Sequence, residues 1–441
     1  MESTWKKLGF SAALLACVVA PVVVLLTVMP WWALLATIVV LGVWLSVTRI
    51  GQQSWSVTTV GIATIPQRLG SSSVVVVGIA GVVGVLVALL AMAAGFESTL
   101  RETGTDDTVI VLRGGAQTEI NSVLDHNTAV VVSQAPQVLH NSQGLPIASS
   151  ELVVITSLPK KSDGVDSNVE VRGVGERAWE LRPNVKMIAG RKFTPGLREL
   201  VAGKKAVDQF KGLELGASLK LNGQVWTLVG EFESGDSHNS EVWGDAGVVA
   251  STYRRGNSTT SITLKLTDAG QFEALKAALT TDPRIKVDVD TTRSYYNKQS
   301  ENLTQAIRIL GITVGTIMAV GAIFGALNTM YAAVATRARE IATLRAIGFR
   351  GVPVIVSVLL ETMLLAVLGG ALGAGLAWAV FDDYTASTLG NNFSQIVFAF
   401  NVTPKLLWSG LKWALAIGFI GGLFPAVRAA RLPVTVGLRE L

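Results

Sequence analysis

Residues 306–334 read AIRILGITVGTIMAVGAIFGALNTMYAAV, and this run decides the fold class. Its 29 residues include one charged side chain, that of Arg308. About 20 apolar residues in a helix suffice to cross the hydrocarbon core of a bilayer, and 29 residues at about 1.5 Å each extend about 43 Å. The run therefore predicts a membrane-spanning helix whose excess length projects outward.

Five further apolar runs are close to spanning length. Half of the 441 residues are hydrophobic and only 16% are charged, whereas about 25% are charged in an ordinary soluble domain. This composition predicts a membrane protein and excludes a wholly soluble enzyme. The further runs are Leu8–Val28, Trp31–Val47, Val74–Ala94, Val354–Phe381 and Lys405–Phe424.

The first two runs are separated only by Met29 and Pro30, and the tryptophans that follow suit a membrane interface. We therefore expect a tight transmembrane hairpin over residues 1–50. Cys17, the only cysteine, lies in the first run. The residues around it resemble a bacterial lipoprotein signal, but the apolar run continues past Cys17, so we favour a buried helical cysteine.

Basic residues mark the cytoplasmic connections of membrane helices, and here they are unevenly distributed. Four segments together hold 11 basic and 3 acidic residues, although the whole chain has 37 and 32. We assign these segments to the inner face of the membrane, which places both termini in the cytoplasm. Because the net charge of +5 belongs to that face, it argues against nucleic acid as a partner. The segments are residues 1–8, 49–72, 335–352 and 424–441.

Residues 96–302 then form an extracytoplasmic block that predicts a folded domain. Several short runs are rich in β-branched and apolar residues, as strands are. The clearest, Ser218–Glu231, contains Asn222-Gly223, a pair that suits the positive φ angles of a hairpin turn. The other predicted strands are Thr108–Leu112, Ala129–Ser133, Leu152–Thr156, Val169–Val174 and Ile262–Leu266.

The same block contains three predicted helices, which makes it an α+β domain. In the last of them Asp268 suits the N-cap, and Phe272, Leu275 and Leu279 share one face. Without cysteines, the domain depends on its hydrophobic core for stability. The predicted helices are Gln117–Leu124, Lys204–Phe210 and Asp268–Leu279.

No enzymatic motif is recognisable in the sequence. The three histidines, His126, His140 and His238, all fall in the outer block. Only His238 lies near several acidic residues, at a spacing that matches no metal motif, and we predict a solvated loop there. The fragment Gly203-Lys204-Lys205 lacks the earlier glycine and the hydroxyl of a P-loop, so we do not expect ATP hydrolysis by this chain.

The inner loop between the fourth and fifth apolar runs has helical periodicity. Ile341, Leu344 and Ile347 recur at helical spacing, arginines occupy the other faces, and Gly348 is a natural end of the helix. These features predict a short amphipathic helix at the cytoplasmic face. The alternative, if only the charge of this segment is considered, is a positive-inside loop that binds no partner.

The motif from Arg337 to Gly348, RAREIATLRAIG, resembles the signature of FtsX-like permeases, the membrane subunits of MacB-type (type VII) ABC transporters. The C-terminal stretch from Phe424 to Val434 resembles the end motif of that family, and Glu361 with the glycines that follow it is similar to the family's third core helix. In the outer block, Val171–Val174 and Gly190–Thr194 look like the periplasmic core domain. The resemblance covers the chain from about Trp55 to its C-terminus.

This resemblance implies a protein of the bacterial inner membrane with a helical transmembrane core of four spans. The outer α+β domain is inserted after the first span, and the N-terminal hairpin is added to this core. The resemblance also implies a dimer, with a second permease copy or a homologous permease, and two cytoplasmic ABC ATPase subunits that bind ATP and Mg. No cofactor is expected on this chain; a periplasmic adaptor and membrane lipid are further expected partners. The implied coupling residues are Arg337, Arg339, Glu340, Ile341, Leu344, Arg345, Ile347 and Gly348, and those of the cytoplasmic tail are Pro425, Arg428, Arg431 and Pro433.

The expected domain order follows from these assignments. Two features depart from the family: Ala342 replaces a glycine, and the N-terminal hairpin lies outside the usual core. The segment from Trp55 to Leu69 is either an in-plane elbow helix, with Trp55, Thr59, Ile62, Ile65 and Leu69 on one face, or a plain linker interrupted by Pro66. We expect a hairpin over residues 1–50, this elbow or linker over 51–72, and the first core span over 73–95. The outer domain follows over 96–302. The permease domain covers 303–441 and contains a coupling loop at 335–352 and a cytoplasmic tail at 424–441.

Polar residues inside the predicted spans are the remaining candidates. A carboxylate within a span is costly unless it is paired, so we expect Glu361 to bind Arg345 or Arg337 and to tie the coupling helix to its span. Asn328 and Lys412 are the other intramembrane polar candidates, and Lys412 is placed to snorkel outward. The glycines Gly369 and Gly373 suit close helix packing.

Two functions remain open from the sequence. The first is a permease that exports or extracts an amphiphile, peptide or lipoprotein by moving its outer domain, with the work transmitted along helices that extend beyond the bilayer. The second is an FtsX-like mechanotransmission subunit that controls a cell-wall hydrolase or sensor without transport. An apolar cavity between the core helices favours the first; a closed dimer seam with an apolar patch on the outer domain favours the second.

Overall fold

Two structural units share the chain in the computed structural model, which describes residues 29–390 and 392–437. The helical unit contains residues 29–92, 306–383 and 401–437, and the α+β unit contains residues 93–305 and 384–400. The run Leu8–Val28 with Cys17, and hence the first half of the predicted N-terminal hairpin, lies outside the described residues.

Four helices of the described chain are long and apolar enough to cross a membrane, and they contain the four predicted core spans. The pair α1 and α2, bent by 100°, makes a fifth candidate if it is counted as one span. In chain order the helices are α1 Trp31–Val47, α2 Arg49–Ala63, α3 Leu69–Thr103, α4 His126–Ser133, α5 Ala178–Leu181, α6 Lys204–Gln209, α7 Ala246–Thr252, α8 Phe272–Thr281, α9 Thr292–Thr336, α10 Ala338–Ala346, α11 Gly351–Phe381, α12 Pro404–Arg431 and α13 Val434–Gly437.

The bend between α1 and α2 occurs at one residue, Thr48. Its backbone is extended, with φ −89° and ψ 145°, and its hydroxyl accepts a hydrogen bond from the amide of Gly51 at 2.9 Å. A threonine side chain that satisfies a free amide in this way is a typical helix N-cap. Helix α1 therefore ends at Val47, as the apolar run predicted, and α2 begins in a new direction.

Small residues allow the spans of the helical unit to approach closely. A side chain on Gly369 of α11 would lie 2.8 Å from the carbonyl oxygen of Val76 in α3, and one on Gly373 would collide with the carbonyl of Ala80. On the other side of α11, Gly370 packs against Ala414 of α12. The predicted packing role of these glycines is confirmed.

Helices α3 and α9 continue well beyond their apolar runs. Helix α9 begins at Thr292, fourteen residues before Ala306, and α3 extends to Thr103, past Ala94. The 45 residues of α9 correspond to a length of about 67 Å, roughly twice a hydrocarbon core. Both helices therefore contribute residues to both units.

A ten-stranded mixed sheet forms the α+β unit, in the order β10-β1-β9-β2-β3-β8-β5-β7-β4, with β6 paired to β7. One apolar core, which includes Phe210 and Trp226, packs on one part of the sheet, and a second, which includes Ile262 and Leu275, packs on another. The strands are β1 Thr108–Arg113, β2 Ala148–Pro159, β3 Asp166–Val174, β4 Lys186–Gly190, β5 Glu199–Gly203, β6 Ser218–Leu221, β7 Gln224–Glu233, β8 Glu241–Asp245, β9 Ser261–Lys265 and β10 Val287–Thr291.

Most elements predicted for the outer domain are confirmed. The strands in the runs that begin at Thr108, Leu152, Val169 and Ile262 are present, and Asn222 and Gly223 have φ angles of 44° and 83° in the turn between β6 and β7. Asp268 accepts a hydrogen bond from the amide of Gly270, although a short 3-10 turn precedes helix α8.

Two local predictions were wrong. The run Ala129–Ser133 is part of helix α4, because the carboxylate of Asp125 caps the amide of Thr128 at 2.9 Å and starts a helix there. The predicted helix Gln117–Leu124 is reduced to a 3-10 turn at Glu119–Asn121, and Leu124 instead bridges to Thr259. In both places a local contact overrides the propensity of the run.

A β-hairpin that was not predicted from the sequence lies between α11 and α12. Its strands are β11 Thr385–Leu389 and β12 Gln395–Ala399, and it belongs to the α+β unit. The ring of Phe398 is buried and meets that of Phe96 edge to face at 5.5 Å. Gly95 leaves room for this contact, since a side chain there would collide with the carbonyl of Ala399.

Candidate functional site

The predicted inner-loop helix is α10, and it starts where α9 breaks. Arg337 leaves the helical conformation, with φ −102° and ψ 9°, and its carbonyl accepts the amide of Ile341 at 3.0 Å. At the other end, Gly348 has φ 108°, a conformation that glycine adopts without strain and that ends the helix. The helix therefore has the ends that the sequence predicted.

Glu361, in the third turn of α11, is the centre of an ion cluster in the helical unit. Only 2% of its surface is exposed. Its Oε2 accepts a hydrogen bond from Nη1 of Arg337 at 3.1 Å, and its Oε1 accepts one from Nη2 of Arg68 at 2.7 Å. Arg337 also donates through Nε to Glu340 at 3.1 Å. One buried carboxylate thus joins the start of α10, the span α11 and the segment that precedes α3.

Helix α2 reaches this cluster through its smallest residues. A side chain on Gly61 would lie 3.2 Å from both the Arg337 guanidinium and the Glu361 carboxylate. The segment is a helix followed by a 3-10 turn, Ile65–Arg68, that contains Pro66. Of the residues named for the elbow face, Trp55, Thr59 and Leu69 are exposed, and Ile62 and Ile65 are half-buried. The buried face consists of Gly51, Ser54, Val57, Thr58 and Gly61.

The two faces of α10 differ sharply. Ile341 and Ala342 are buried, and Ile341 packs in an apolar cluster with Met330, Val358 and Ala426. On the other face, Arg339, Glu340 and Thr343 are exposed, and the side chain of Ile347 is 69% exposed at the C-terminal end. The buried face anchors the helix, whereas the described residues leave the other face exposed.

Arg345 and the tail are connected to each other. The guanidinium of Arg345 donates to the carbonyl oxygen of Leu432, so of the two partners considered for Glu361 only Arg337 contacts it. Arg428 lies over the ring of Tyr331 at 5.4 Å, in a cation–π contact. The remaining tail candidates take separate positions: Pro425 is buried inside α12, whereas Arg431 and Pro433 are exposed.

The other two intramembrane candidates do not join the ion cluster. Asn328 is exposed on α9, and Lys412 is half-buried on α12. Arg68, by contrast, is part of the cluster, although it was not among the predicted site residues. A lone arginine between two apolar segments was the available signal.

A second cluster of buried charges lies in the α+β unit, around Arg172 of β3. Its guanidinium donates to four carboxylates at 2.7–3.1 Å, and Arg182 adds a bidentate pair to one of them, Glu151, at 2.6 and 2.8 Å. Burial opposes ionisation of Glu151, but Arg182 and Arg172 overcome it and lower its pKa to about 2. The four carboxylates belong to Glu119, Glu151, Glu170 and Glu241.

His238 borders this cluster, and the prediction of a solvated loop around it was wrong. Only 2% of the residue is exposed, its Nδ1 lies 3.1 Å from Oδ1 of Asp236, and its ring meets that of Trp243 edge to face at 5.5 Å. The carboxylate of Asp236 also caps the turn Ser237–Ser240, which draws the segment inward. Across the described residues, no three His, Cys, Asp or Glu side chains are grouped as metal ligands.

Two family comparisons cover most of the chain. Residues 312–434 match the FtsX-like permease C-terminal family, and residues 72–282 match the MacB-like periplasmic core domain family.

Curated relatives extend the same similarity. The chain is 26% identical over 313 residues to the macrolide export ATP-binding/permease protein MacB of Neisseria gonorrhoeae, which covers 65% of this chain and 47% of the relative. It is 24% identical over 314 residues to the protein of the same name from Vibrio parahaemolyticus, which covers 66% and 46%. The chain thus spans about half the length of the curated relatives it matches.

Among solved structures, the periplasmic region of MacB from Actinobacillus actinomycetemcomitans is 16% identical, with a TM-score of 0.33. The alignment covers 46% of this chain and 92% of that one.

Proposed function

The chain belongs to the FtsX-like permease family, with a MacB-like periplasmic core domain, and on this premise we propose that it is the permease subunit of an ABC transporter. In this proposal a separate cytoplasmic ATPase supplies the energy, and the chain converts ATP hydrolysis into movement of its α+β unit. The observation that carries the proposal is the joint at Glu361, which fixes the start of α10 to α11 and to the segment before α3.

Helix α10 is the part on which the ATPase acts. Its exposed face presents alternating charge, from Arg339 and Glu340, and ends in the exposed apolar side chain of Ile347. An apolar side chain surrounded by charged side chains is typical of protein–protein interfaces, which have an apolar centre and a polar rim. A force applied there passes through Arg337 and Glu361 into α11, because buried charged hydrogen bonds resist separation.

The basic residues of the inner segments support an orientation with α10 and both termini in the cytoplasm and the α+β unit outside it. Two ATPase subunits bind ATP and Mg, and a second permease copy or a homologous permease completes the dimer. Helices α3 and α9 have residues in both units, so closure of the dimer moves them and, through them, the α+β unit. The substrate is an amphiphile, peptide or lipoprotein acted on at the outer face.

The experiment is a purification of the tagged full-length chain from native membranes, with identification and quantification of every ATPase that co-purifies. The variant Ile347→Asp places a charge in the apolar anchor of α10. We expect it to reduce the amount of retained ATPase about tenfold, which is the effect of losing about 1.4 kcal/mol of binding free energy.

The matched control is Ile188→Asp, since Ile188 is also an exposed isoleucine but lies on β4 of the α+β unit. It should retain the ATPase at the wild-type level. If no ATPase accompanies the wild-type chain, or if both variants lose it equally, α10 is not the docking element and the proposal fails.

A further inference from the structure

The charge cluster of the α+β unit contains more carboxylates than guanidiniums. Four glutamates share Arg172 and Arg182, and all six side chains are buried or nearly so. A buried charge without an opposite charge is costly, and a carboxyl group avoids the cost by keeping its proton. The excess of carboxylates therefore favours protonation of one of them.

Glu170 is the carboxylate with the weakest compensation. Glu151 has the bidentate Arg182, and Glu241 accepts from Arg172 and from the indole of Trp243 at 2.7 Å. Glu119 accepts from two nitrogens of Arg172 and from the hydroxyl of Ser261 at 2.6 Å. Glu170 has one guanidinium contact, at 2.7 Å, and its other oxygen, Oε2, has only two long contacts of 3.2 Å with neutral donors.

Those two neutral donors come from the hairpin β11–β12. They are Nδ2 of Asn392 and Oγ of Ser394. The amide oxygen of Asn392, itself buried, has no hydrogen-bond partner among the described residues. Beside it lies a cavity of about 20 Å³, which is enough for one water molecule and too small for an organic ligand. Turning this amide by 180° would bring its oxygen to Glu170 as the acceptor that a protonated carboxyl group needs.

We propose that Glu170 is a proton-binding site that controls how firmly the hairpin β11–β12 is held in the α+β unit. When the hairpin is seated, the carboxylate takes one proton from solvent, and the new O–H donates to the amide oxygen of Asn392 after that amide turns by 180°. When the hairpin leaves, Glu170 meets water and returns the proton to it.

Burial is the main cause that raises the pKa of Glu170, to about 7, and repulsion from Glu241 and Glu119 adds to it. Arg172 and the amide of Asn392 act in the opposite direction. Glu241 is the ionised member of the pair, since Arg172 and Trp243 hold its pKa below the ordinary value despite burial. The other titratable groups around Glu170 are Glu119 of the turn before α4, Glu151 of β2, Arg172 of β3, Arg182 after α5, Asp236 and His238 before β8, and Tyr296 of α9.

The direction of the pH effect follows from linkage. The seated hairpin keeps the pKa of Glu170 near 7, and release returns it toward its ordinary value of 4.5. The stabilisation of the seated state is therefore complete below about pH 4.5 and is lost as the pH rises through 7. Lower pH therefore stabilises the packing of the hairpin β11–β12, the segment that connects α11 to α12, in the α+β unit.

The hairpin has a second titratable contact, which the experiment must separate. Lys205 donates from Nζ to the carbonyl of Val397 at 3.3 Å, and burial lowers its pKa. When Lys205 loses its proton at high pH, its contact with the hairpin is also weakened. The remaining contacts are between neutral groups, such as the amide of Val397 with Oγ of Ser240 at 2.9 Å.

The test is hydrogen exchange of peptides from residues 385–399 in the purified full-length chain between pH 5.5 and 8. Rates are corrected with an unstructured peptide of the same sequence. In the wild type we expect hairpin protection to fall about tenfold or more over this range. In Glu170→Gln, which stays neutral, the fall should disappear and protection should stay at the acid level, although Lys205 is still present.

Two further variants keep the test decisive. Ser394→Ala removes a donor to the ionised carboxylate, so the midpoint of the change should move to higher pH even if Glu170→Gln does not fold. Glu273→Gln, an exposed glutamate on α8, should behave as wild type. A wild type without pH-dependent protection, or the same midpoint in Ser394→Ala as in wild type, overturns the proposal. A Glu170→Gln variant that keeps the fall assigns it to Lys205 instead.

Discussion

The two buried ion clusters have opposite imbalances of charge. In the helical unit, two guanidiniums hold one buried carboxylate, and each oxygen of Glu361 has its own arginine. In the α+β unit, four carboxylates compete for two guanidiniums. The difference shows how the same chemical pair serves two purposes. Where guanidiniums outnumber carboxylates, the carboxylate joins several chain segments. Where carboxylates outnumber guanidiniums, one carboxylate can take up a proton.

The largest expected effect comes from the centre of the acidic cluster. Arg172→Met removes the cation that contacts all four glutamates and leaves buried carboxylates uncompensated. We expect the α+β unit to lose about 3–5 kcal/mol of stability, or to fail to fold at all. Thermal unfolding of the purified full-length chain, followed with limited proteolysis of the α+β unit, measures the change.

Arg191→Met is the control for that variant. Arg191 makes a bidentate pair with Glu199 at 2.6 and 2.7 Å, in the same unit, but its side chain is exposed. Solvent screens such a pair, so its loss should leave the unfolding temperature unchanged within error. Equal destabilisation by the two variants would show that burial of the acidic cluster does not matter to its strength.

A smaller effect is expected from the joint in the helical unit. Glu361→Gln keeps the size of the side chain but weakens hydrogen bonds to two guanidiniums, and it should lower stability by about 1–3 kcal/mol. The ATPase should still be retained, because α10 keeps its exposed face. The changes that Mg-ATP with vanadate induces in hydrogen exchange of the α+β unit should be lost.

Asp383→Asn is the control, since it makes the same carboxylate-to-amide change in the helical unit, but at an exposed residue outside α10. It should preserve the nucleotide-induced changes. If Glu361→Gln also preserves them, the joint does not transmit the motion and the contrast between the two clusters reduces to one of stability.

Much of the helical unit follows from the sequence, because each span is a continuous apolar run and needs no knowledge of its neighbours. The start and end of α10 are also local, fixed by the residues around Arg337 and by Gly348. The partnership of Arg68 with Glu361 joins residues 293 positions apart, and no local pattern encodes it. The prediction that Arg337 or Arg345 binds Glu361 succeeded for Arg337, whereas Arg345, although nearer in sequence, donates to the carbonyl of Leu432.

The α+β unit was harder to predict where polar residues are buried. Strand β3 was recognised from its valines, but its other face, with Glu170 and Arg172, has the pattern of a solvent-exposed face and is instead covered. The strands of the hairpin β11–β12 are short and mixed in polarity, and they are seated by contacts with distant residues such as Ser240. His238 was misassigned for the same reason, since a Gly- and Ser-rich context conceals the rings that bury it.

The smallest expected effect distinguishes the two arginines of the acidic cluster. Of the four glutamates, Arg182 pairs with Glu151. Despite burial, this ion pair, together with Arg172, lowers the pKa of the Glu151 carboxyl group from the ordinary 4.5 to about 2. The stability from Glu151 is present above about pH 4.5 and is lost as the pH falls through 2. Arg182→Met should raise this pKa and move the acid unfolding of the α+β unit upward by about one pH unit, equivalent to about 1.4 kcal/mol. Hydrogen exchange of peptides from β2 and β3 in the full-length chain measures it.

Arg284→Met tests whether burial is the cause. Asp282 also has a pKa lowered to about 2 by its arginine, through hydrogen bonds from the side chain and backbone of Arg284, but that pair lies at the surface. Because water replaces the guanidinium there at little cost, the acid midpoint should not move. A shift of equal size in both variants would contradict the view that the acidic cluster owes its pH response to burial. A shift in Arg182→Met alone would show that each carboxylate of the cluster titrates according to its own share of the two arginines.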